Sequence, residues 1–137
     1  MEHIVVDSNV IVASFLEQED SHQRGQEYIN ELESGAYTFH LPTLVVVEVI
    51  SAINRRALRI RQALLARARK SIGDWEGDGK MVLYALDRDR MDKAVNTAER
   101  HRLRGSDAVI AALAEELNIP LKTFDTEVLG RFLRASV

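Results

Sequence analysis

Four short runs rich in β-branched and aliphatic residues, HIVV (3–6), YTFHL (37–41), MVLYAL (81–86) and PLKTF (120–124), stand apart from one another. Longer stretches with helical periodicity separate them. That alternation constrains the fold more than any other feature of the chain. Strands joined by helix-length connections cannot form tight hairpins; they pair in parallel through crossovers. The chain reads as an α/β protein with a largely parallel sheet.

The first connection carries helical patterns at about 9–17 and 21–34, stopped by Gly35. The second, from Pro42 to Lys80, has room for two helices, and Pro42 suits a first helical turn because its missing N–H is no loss there. Farther on, Leu64, Leu65, Ala68, Ile72 and Trp75 share one face while Arg67, Arg69 and Lys70 lie elsewhere, the pattern of an amphipathic helix. WEGDGK then reads as a loop. Helices at about 89–102 and 106–117 fill the third connection, and a short helix follows Asp125.

A chain of 137 residues with 46% apolar and 28% charged residues has material for one hydrophobic core, so a single domain over 1–137 is expected. There are no repeats, low-complexity tracts or Pro/Gly-rich linkers to divide it. No apolar stretch approaches the roughly 18 residues of a membrane span. The opening MEHIVVDSN carries an acid and soon reaches a polar cluster, unlike a signal peptide, which favours a cytoplasmic protein. With no cysteine, disulfides and thiolate metal sites are excluded. Net charge is −3, yet Val49 to Gly73 contains no acid and holds Arg55, Arg56, Arg59, Arg61, Arg67, Arg69 and Lys70. Such a segment is either a solvated helix face or a surface that attracts a polyanion.

One carboxylate sits in an improbable place. Residues 44–50 read LVVVEVI, and an unpaired buried Glu48 would cost several kcal/mol. If the run after Pro42 is a helix, Glu48, Ser51 and Arg55 fall on one polar stripe at i, i+3 and i+7, and the carboxylate reaches water or a cation.

Asp7 directly follows the first apolar run and Asp125 the fourth, where the carboxyl edge of a parallel sheet places functional groups. Glu48 lies less than two turns into the helix that leaves the second strand, near the same edge. Asp107 opens the helix before the fourth strand. Each acid alone has a plainer explanation: Asp7 and Asp125 fit as helix caps, and Asp107 as a first-turn charge behind a Ser106 cap. Capping does not require them to converge, however, and clustered carboxylates call for a cation. Oxygen-only ligands suit Mg²⁺ or Mn²⁺. Zinc is disfavoured, since His3, His22, His40 and His101 show no ligand spacing and read as surface or packing residues. Neither a Gly-rich phosphate loop nor G-x-S-x-G occurs.

At these residues the chain resembles the PIN-domain family, most closely the VapC toxins of VapBC toxin–antitoxin pairs, over nearly its whole length. IVVDSNVIVA resembles the family's opening, with Asp7 and, two residues on, Asn9. PTLVVVEVISAINRR resembles the helix bearing the second acid, Glu48. LRGSDAVIAALAEELNIPLKTFD resembles the most characteristic stretch, with Asp107, Asp125 and Thr123. The departure is at the end, where only RFLRASV follows the last helix and leaves the family's final strand short or absent.

The resemblance implies a three-layer α/β/α sandwich around a mainly parallel sheet of four or five strands, and a metal-dependent ribonuclease. It implies that Asp7, Glu48, Asp107 and Asp125 bind one or two Mg²⁺ or Mn²⁺ ions. Ser8, Asn9, Ser106 and Thr123 are the candidates to hold ligands or water, Ser106 equally as a cap alone. Glu127 either joins the acidic pocket or is a first-turn helix charge. Also implied are an RNA substrate, a homodimer and a small antitoxin partner. Arg55, Arg56 and Arg59, with the apolar and basic helices between 44 and 75, are the candidates for RNA or partner contact. Two rivals stand beside this reading. A haloacid-dehalogenase-type phosphatase needs a second Asp two residues after the first, where this chain has Asn9. A PIN-like module that binds RNA or protein without cleaving would not need all four acids.

Overall fold

The apolar runs form strands, the first of them buried on both faces at Ile4, Val5 and Val6, and each is followed by a helical crossover. In the computed structural model, which describes residues 1–137, β1 (Glu2–Val6) leads into α1 (Ser8–Phe15) and α2 (His22–Glu33). Next, β2 (Tyr37–Pro42) leads into α3 (Thr43–Arg56) and α4 (Arg61–Gly77), and β3 (Met81–Tyr84) into α5 (Arg88–His101) and α6 (Gly105–Leu117). Last come β4 (Leu121–Lys122), α7 (Thr126–Arg131) and β5 (Ala135–Ser136).

The sheet has five strands in the order β3-β2-β1-β4-β5, and every neighbouring pair is parallel. β1 is central: Val5 pairs with His40 on one side and with Leu121 on the other. Successive strands step outward from β1 to β2 to β3, and the chain then returns across β1 to β4. Right-handed crossovers therefore place α1 to α4 on one face and α5 and α6 on the opposite face, where α6 packs over β1 and β2. The direction of winding switches between β1 and β4. In doubly wound sheets that switch opens a crevice at the carboxyl ends of the strands.

Val5, Val6, Phe39 and Leu41 of the sheet are fully buried, with Tyr28 and Leu32 of α2 and Val45, Val49 and Ile53 of α3 around them. The i, i+4, i+8 spacing of those α3 residues is the apolar stripe that docks the helix, and it leaves Val47 65% exposed and Glu48 half-buried. Gly25 marks a close helix crossing: a Cβ there would meet Ser14 N at 2.8 Å and the Val10 carbonyl at 2.9 Å.

Several boundaries differ from the sequence reading. Helix α4 continues through Trp75 to Gly77, so only the end of WEGDGK is a turn, closed by Gly79 at φ +74. Buried Trp75 holds that last turn down. The strand read over 81–86 stops at Tyr84, beyond which Ala85 and Leu86 are exposed. The run read over 120–124 keeps only Leu121 and Lys122 as strand, because the Thr123 hydroxyl accepts from Asp125 N and turns the chain into α7. Gly35 does end α2, at φ +86, with Ala36 N bonded back to the Glu31 carbonyl. The final strand is present and short.

Candidate active site

Strand β1 ends at Val6, so Asp7 emerges at the carboxyl edge and its backbone turns into α1. Its Oδ1 accepts from Ser8 N at 2.7 Å, the capping role available to any Asp there. Its Oδ2 accepts from the Thr123 hydroxyl at 2.7 Å and, more loosely, from Asn9 Nδ2 at 3.4 Å. Thr123 is fully buried, and its Oγ1 also accepts from Asp125 N at 3.0 Å and Asn9 Nδ2 at 3.3 Å. Asn9 Oδ1 in turn accepts from Phe124 N at 3.1 Å. Asn9 and Thr123 thus lock the end of β1 to the end of β4 across the switch point. Adjacent strands make Asp7 and Asp125 neighbours.

Asp125 caps α7, with Oδ1 accepting from Glu127 N at 2.8 Å and Val128 N at 3.3 Å. Capping and convergence therefore hold together, for Asp7 and Asp125 alike. Asp107 lies in the first turn of α6. Ser106 is not its cap: the helix begins at Gly105, with Arg104 as an N-cap whose side chain makes no capping bond. Ser106 is half-buried beside Asp107 inside the first turn.

Electrostatics shows that the four acids share one neighbourhood. Asp7, only 6% exposed, has its carboxyl pushed above the ordinary value by burial and by Asp125, against the hydrogen bonds from Thr123 and Ser8. Glu48 is pushed up by burial, then by Asp7 and Asp107, with the Ser8 hydroxyl opposing. Asp107 is pushed up to about 6 by burial, then by Asp7 and Asp125, while Arg104 pulls the other way. The Oε1 of Glu48 is buried with no hydrogen-bond partner. The polar stripe of α3 thus turns its glutamate inward, toward the other acids and away from solvent.

Such a set fits a hard divalent cation: oxygen donors, mutual repulsion and one orphaned carboxylate oxygen. As positioned, no three acid or histidine side chains close into a ready ligand cluster, so an ion would have to draw the carboxylates inward.

Two charged groups on the rim complete the picture. Glu127 forms ion pairs with Arg104 at 2.8 Å and with Arg131 at 2.7 Å, and the Arg104 bond holds its carboxyl below the ordinary range. It is a paired first-turn charge. Arg104 is the group missed in the sequence: its guanidinium feels Asp107 and Asp125 as well as Glu127. Its place three residues before Asp107 was the available signal. Along the sheet, His40 bonds to His3 and to Tyr84, each at 2.8 Å, forming a string across three strands that sequence spacing does not reveal.

The family model for the PIN domain matches residues 4–133. No curated protein matches the chain. Among solved structures, VapC20 of Mycobacterium tuberculosis, described as a sarcin–ricin loop cleaving toxin, is similar with a TM-score of 0.73 at 16% identity, over 96% of this chain and 97% of that one. A toxin–antitoxin complex from Klebsiella pneumoniae aligns with a TM-score of 0.70 at 15% identity, over 98% and 96% of the two chains. FitAcB from Neisseria gonorrhoeae aligns with a TM-score of 0.66 at 22% identity, over 96% and 91%. At these identities the likeness is one of fold.

Proposed function

The chain belongs to the PIN-domain family, and from that premise we propose that it is a Mg²⁺- or Mn²⁺-dependent endoribonuclease, the toxin of a toxin–antitoxin pair, formed as a single domain over residues 1–137. The observation that carries the reading is the convergence of Asp7, Glu48, Asp107 and Asp125 with the buried Glu48 Oε1 left unpartnered. These four residues would hold one or two ions. When bound, such an ion supplies a more acidic water and a counter-charge for phosphodiester oxygens in an in-line displacement. The products would be a 5′-phosphate and a 3′-hydroxyl.

The protein's own groups do the positioning. Thr123 and Ser8 N fix both oxygens of Asp7, so that carboxylate cannot turn away from the crevice. Asn9 ties the same corner to Phe124 N and keeps the ends of β1 and β4 in register. Glu127 engages Arg104, which keeps a cation at the rim without cancelling the central acids.

An antitoxin partner is supported by the assemblies that similar folds form and by an open apolar groove of about 890 Å³ between α3 and α4, lined by Val46, Val47, Ile50, Leu65 and Ile72. A homodimer and a cytoplasmic location belong to the same proposal; no helix is long and apolar enough to cross a membrane. Calorimetric titration with Mn²⁺ tests the site. Glu48→Gln is expected to weaken binding at least tenfold while leaving the melting temperature of the metal-free protein unchanged or higher. Equal affinity in the two proteins would remove Glu48 from the ligand set.

A further inference from the structure

The basic segment of the sequence behaves unlike the rest of the surface. Of its seven cations, only Arg56 and Lys70 are paired, to Glu19 at 2.6 Å and to Asp74 at 2.7 Å. Arg55, Arg59, Arg61, Arg67 and Arg69 are exposed and have no carboxylate within 4.0 Å. Elsewhere the majority of cations are ion-paired, among them Arg24, Arg88, Arg90, Lys93, Arg100 and Arg131. Unpaired arginine is therefore concentrated in one region, from the end of α3 to the middle of α4.

That place is shaped. An open cleft of about 600 Å³ lies between the α1–α2 turn and the α3–α4 turn. Arg59 and Arg67 line it beside the Phe15 ring, the Gln18 and Gln26 amides and His22, with Glu17 the one carboxylate. His22 Nδ1 donates to the Ala13 carbonyl at 2.7 Å, leaving its Nε2 without a protein partner. The turn is held by Ile60 in the left-handed region, at φ 47, and it keeps Leu58 and Ile60 exposed at 79% and 62%. Cations for phosphates, amides and an imidazole for base edges, and flat or apolar side chains for base faces are the elements of a single-stranded nucleic-acid subsite. On α3, Arg55 shares a stripe with Glu48 through Ser51. It lies about 10 Å along the helix axis from that acid, a distance a few nucleotides of extended strand cover.

We propose that Arg55, Arg59 and Arg67, with this cleft, form a track for the RNA strand beyond the cleaved bond. The proposal rests on the nuclease reading and adds where the substrate runs. It divides the three arginines singled out in the sequence: Arg55 and Arg59 face substrate, whereas Arg56 is a structural link whose carbonyl accepts from Gln18 and whose guanidinium holds Glu19. The apolar side chains of the groove between α3 and α4 are left to a protein partner, with Ser51 and Arg69 among its polar lining.

The test compares the wild type with an Arg55→Gln/Arg59→Gln/Arg67→Gln variant and an Arg88→Gln/Arg134→Gln control. Binding to a fluorescent mixed-sequence 12-nucleotide RNA is read by anisotropy in an Asp107→Asn background, and Mn²⁺-dependent cleavage of that RNA and of a trinucleotide is read in the active background. The triple variant should bind the long RNA at least tenfold more weakly. Its salt slope should be shallower by about 2, as expected when three single-strand phosphate contacts are lost. It should also cut the trinucleotide as the wild type does, while the control stays within twofold throughout. A wild type that cuts and binds, with a triple variant indistinguishable from it, overturns the track, leaves the nuclease standing and points to an acidic protein as the partner of this surface. Equal losses on both substrates overturn it too, as a general defect. A wild type that neither binds nor cuts RNA removes the nuclease reading and the track with it.

Discussion

Asp107 is a residue kept where the fold would be better off without it. Its carboxyl ordinarily titrates near 3.8 and in the folded chain near 6, so between those values the folded state holds a proton that the unfolded state releases. Stability contributed at this position is therefore full below about pH 4, falls as pH rises toward 6, and stays lost above it. After allowance for the solvent that screens a half-buried group, the loss is about 1 kcal/mol, or about 3 °C in melting temperature for a chain of this size. Metal-free Asp107→Asn should melt higher than the wild type at pH 7.5 and near it at pH 4.5, by calorimetry in EDTA, while losing cleavage. A variant less stable at both values would mean that Asp107 is a structural group. Thr123 makes the complementary case. Thr123→Val removes a hydroxyl that serves Asp7, Asn9 and Asp125 N at once, and should cost about 1–3 kcal/mol and lower kcat by about 10–100-fold with little change in KM.

At the scale of elements, two backbone positions carry the geometry of the helical hairpins. Gly25 lets α2 cross α1 at contact distance, and Gly25→Ala should destabilise by about 1–3 kcal/mol in urea because the added carbon meets the α1 backbone at Val10 and Ser14. Ile60 is the reverse: a β-branched residue at φ 47 and ψ 37 is strained, and its side chain is mostly in water. Ile60→Gly should stabilise the fold by about 0.5–1 kcal/mol, read as a higher urea midpoint. The elements were legible in the sequence wherever burial is one-sided and long. Helix α3 announces itself through Pro42 and the Val45, Val49, Ile53 stripe, and α2 through Gly35. The short strands were not. Leu121 and Lys122 make a two-residue β4 because Thr123 spends its hydroxyl on the turn, and a side-chain-to-backbone bond of that kind leaves no periodic trace. Helix α4 outlasts its expected end because Trp75 is buried, a tertiary effect that carries the helix to Gly77 before Gly79 closes the turn.

For the whole molecule, the winding of the sheet turns scattered acids into one neighbourhood. Asp7 and Asp125 lie 118 positions apart in the chain, and only the β1–β4 pairing at the switch point brings their carboxylates together. The sequence carried the alternation that implies a parallel sheet and the placement of acids after its strands. It could not carry the Arg104–Glu127 pair at the rim or the His3–His40–Tyr84 string, because both depend on which strands and helices become neighbours.

The most direct test of the proposed metal-dependent nuclease activity is cleavage of a mixed-sequence single-stranded RNA with Mn²⁺ by the wild type, an EDTA control and Asp107→Asn. Cutting that requires Mn²⁺ and disappears in the variant is the expected result. Equal cutting by both proteins, or intact RNA with a wild type that still binds Mn²⁺, would contradict it, the second outcome favouring a module that binds without cleaving.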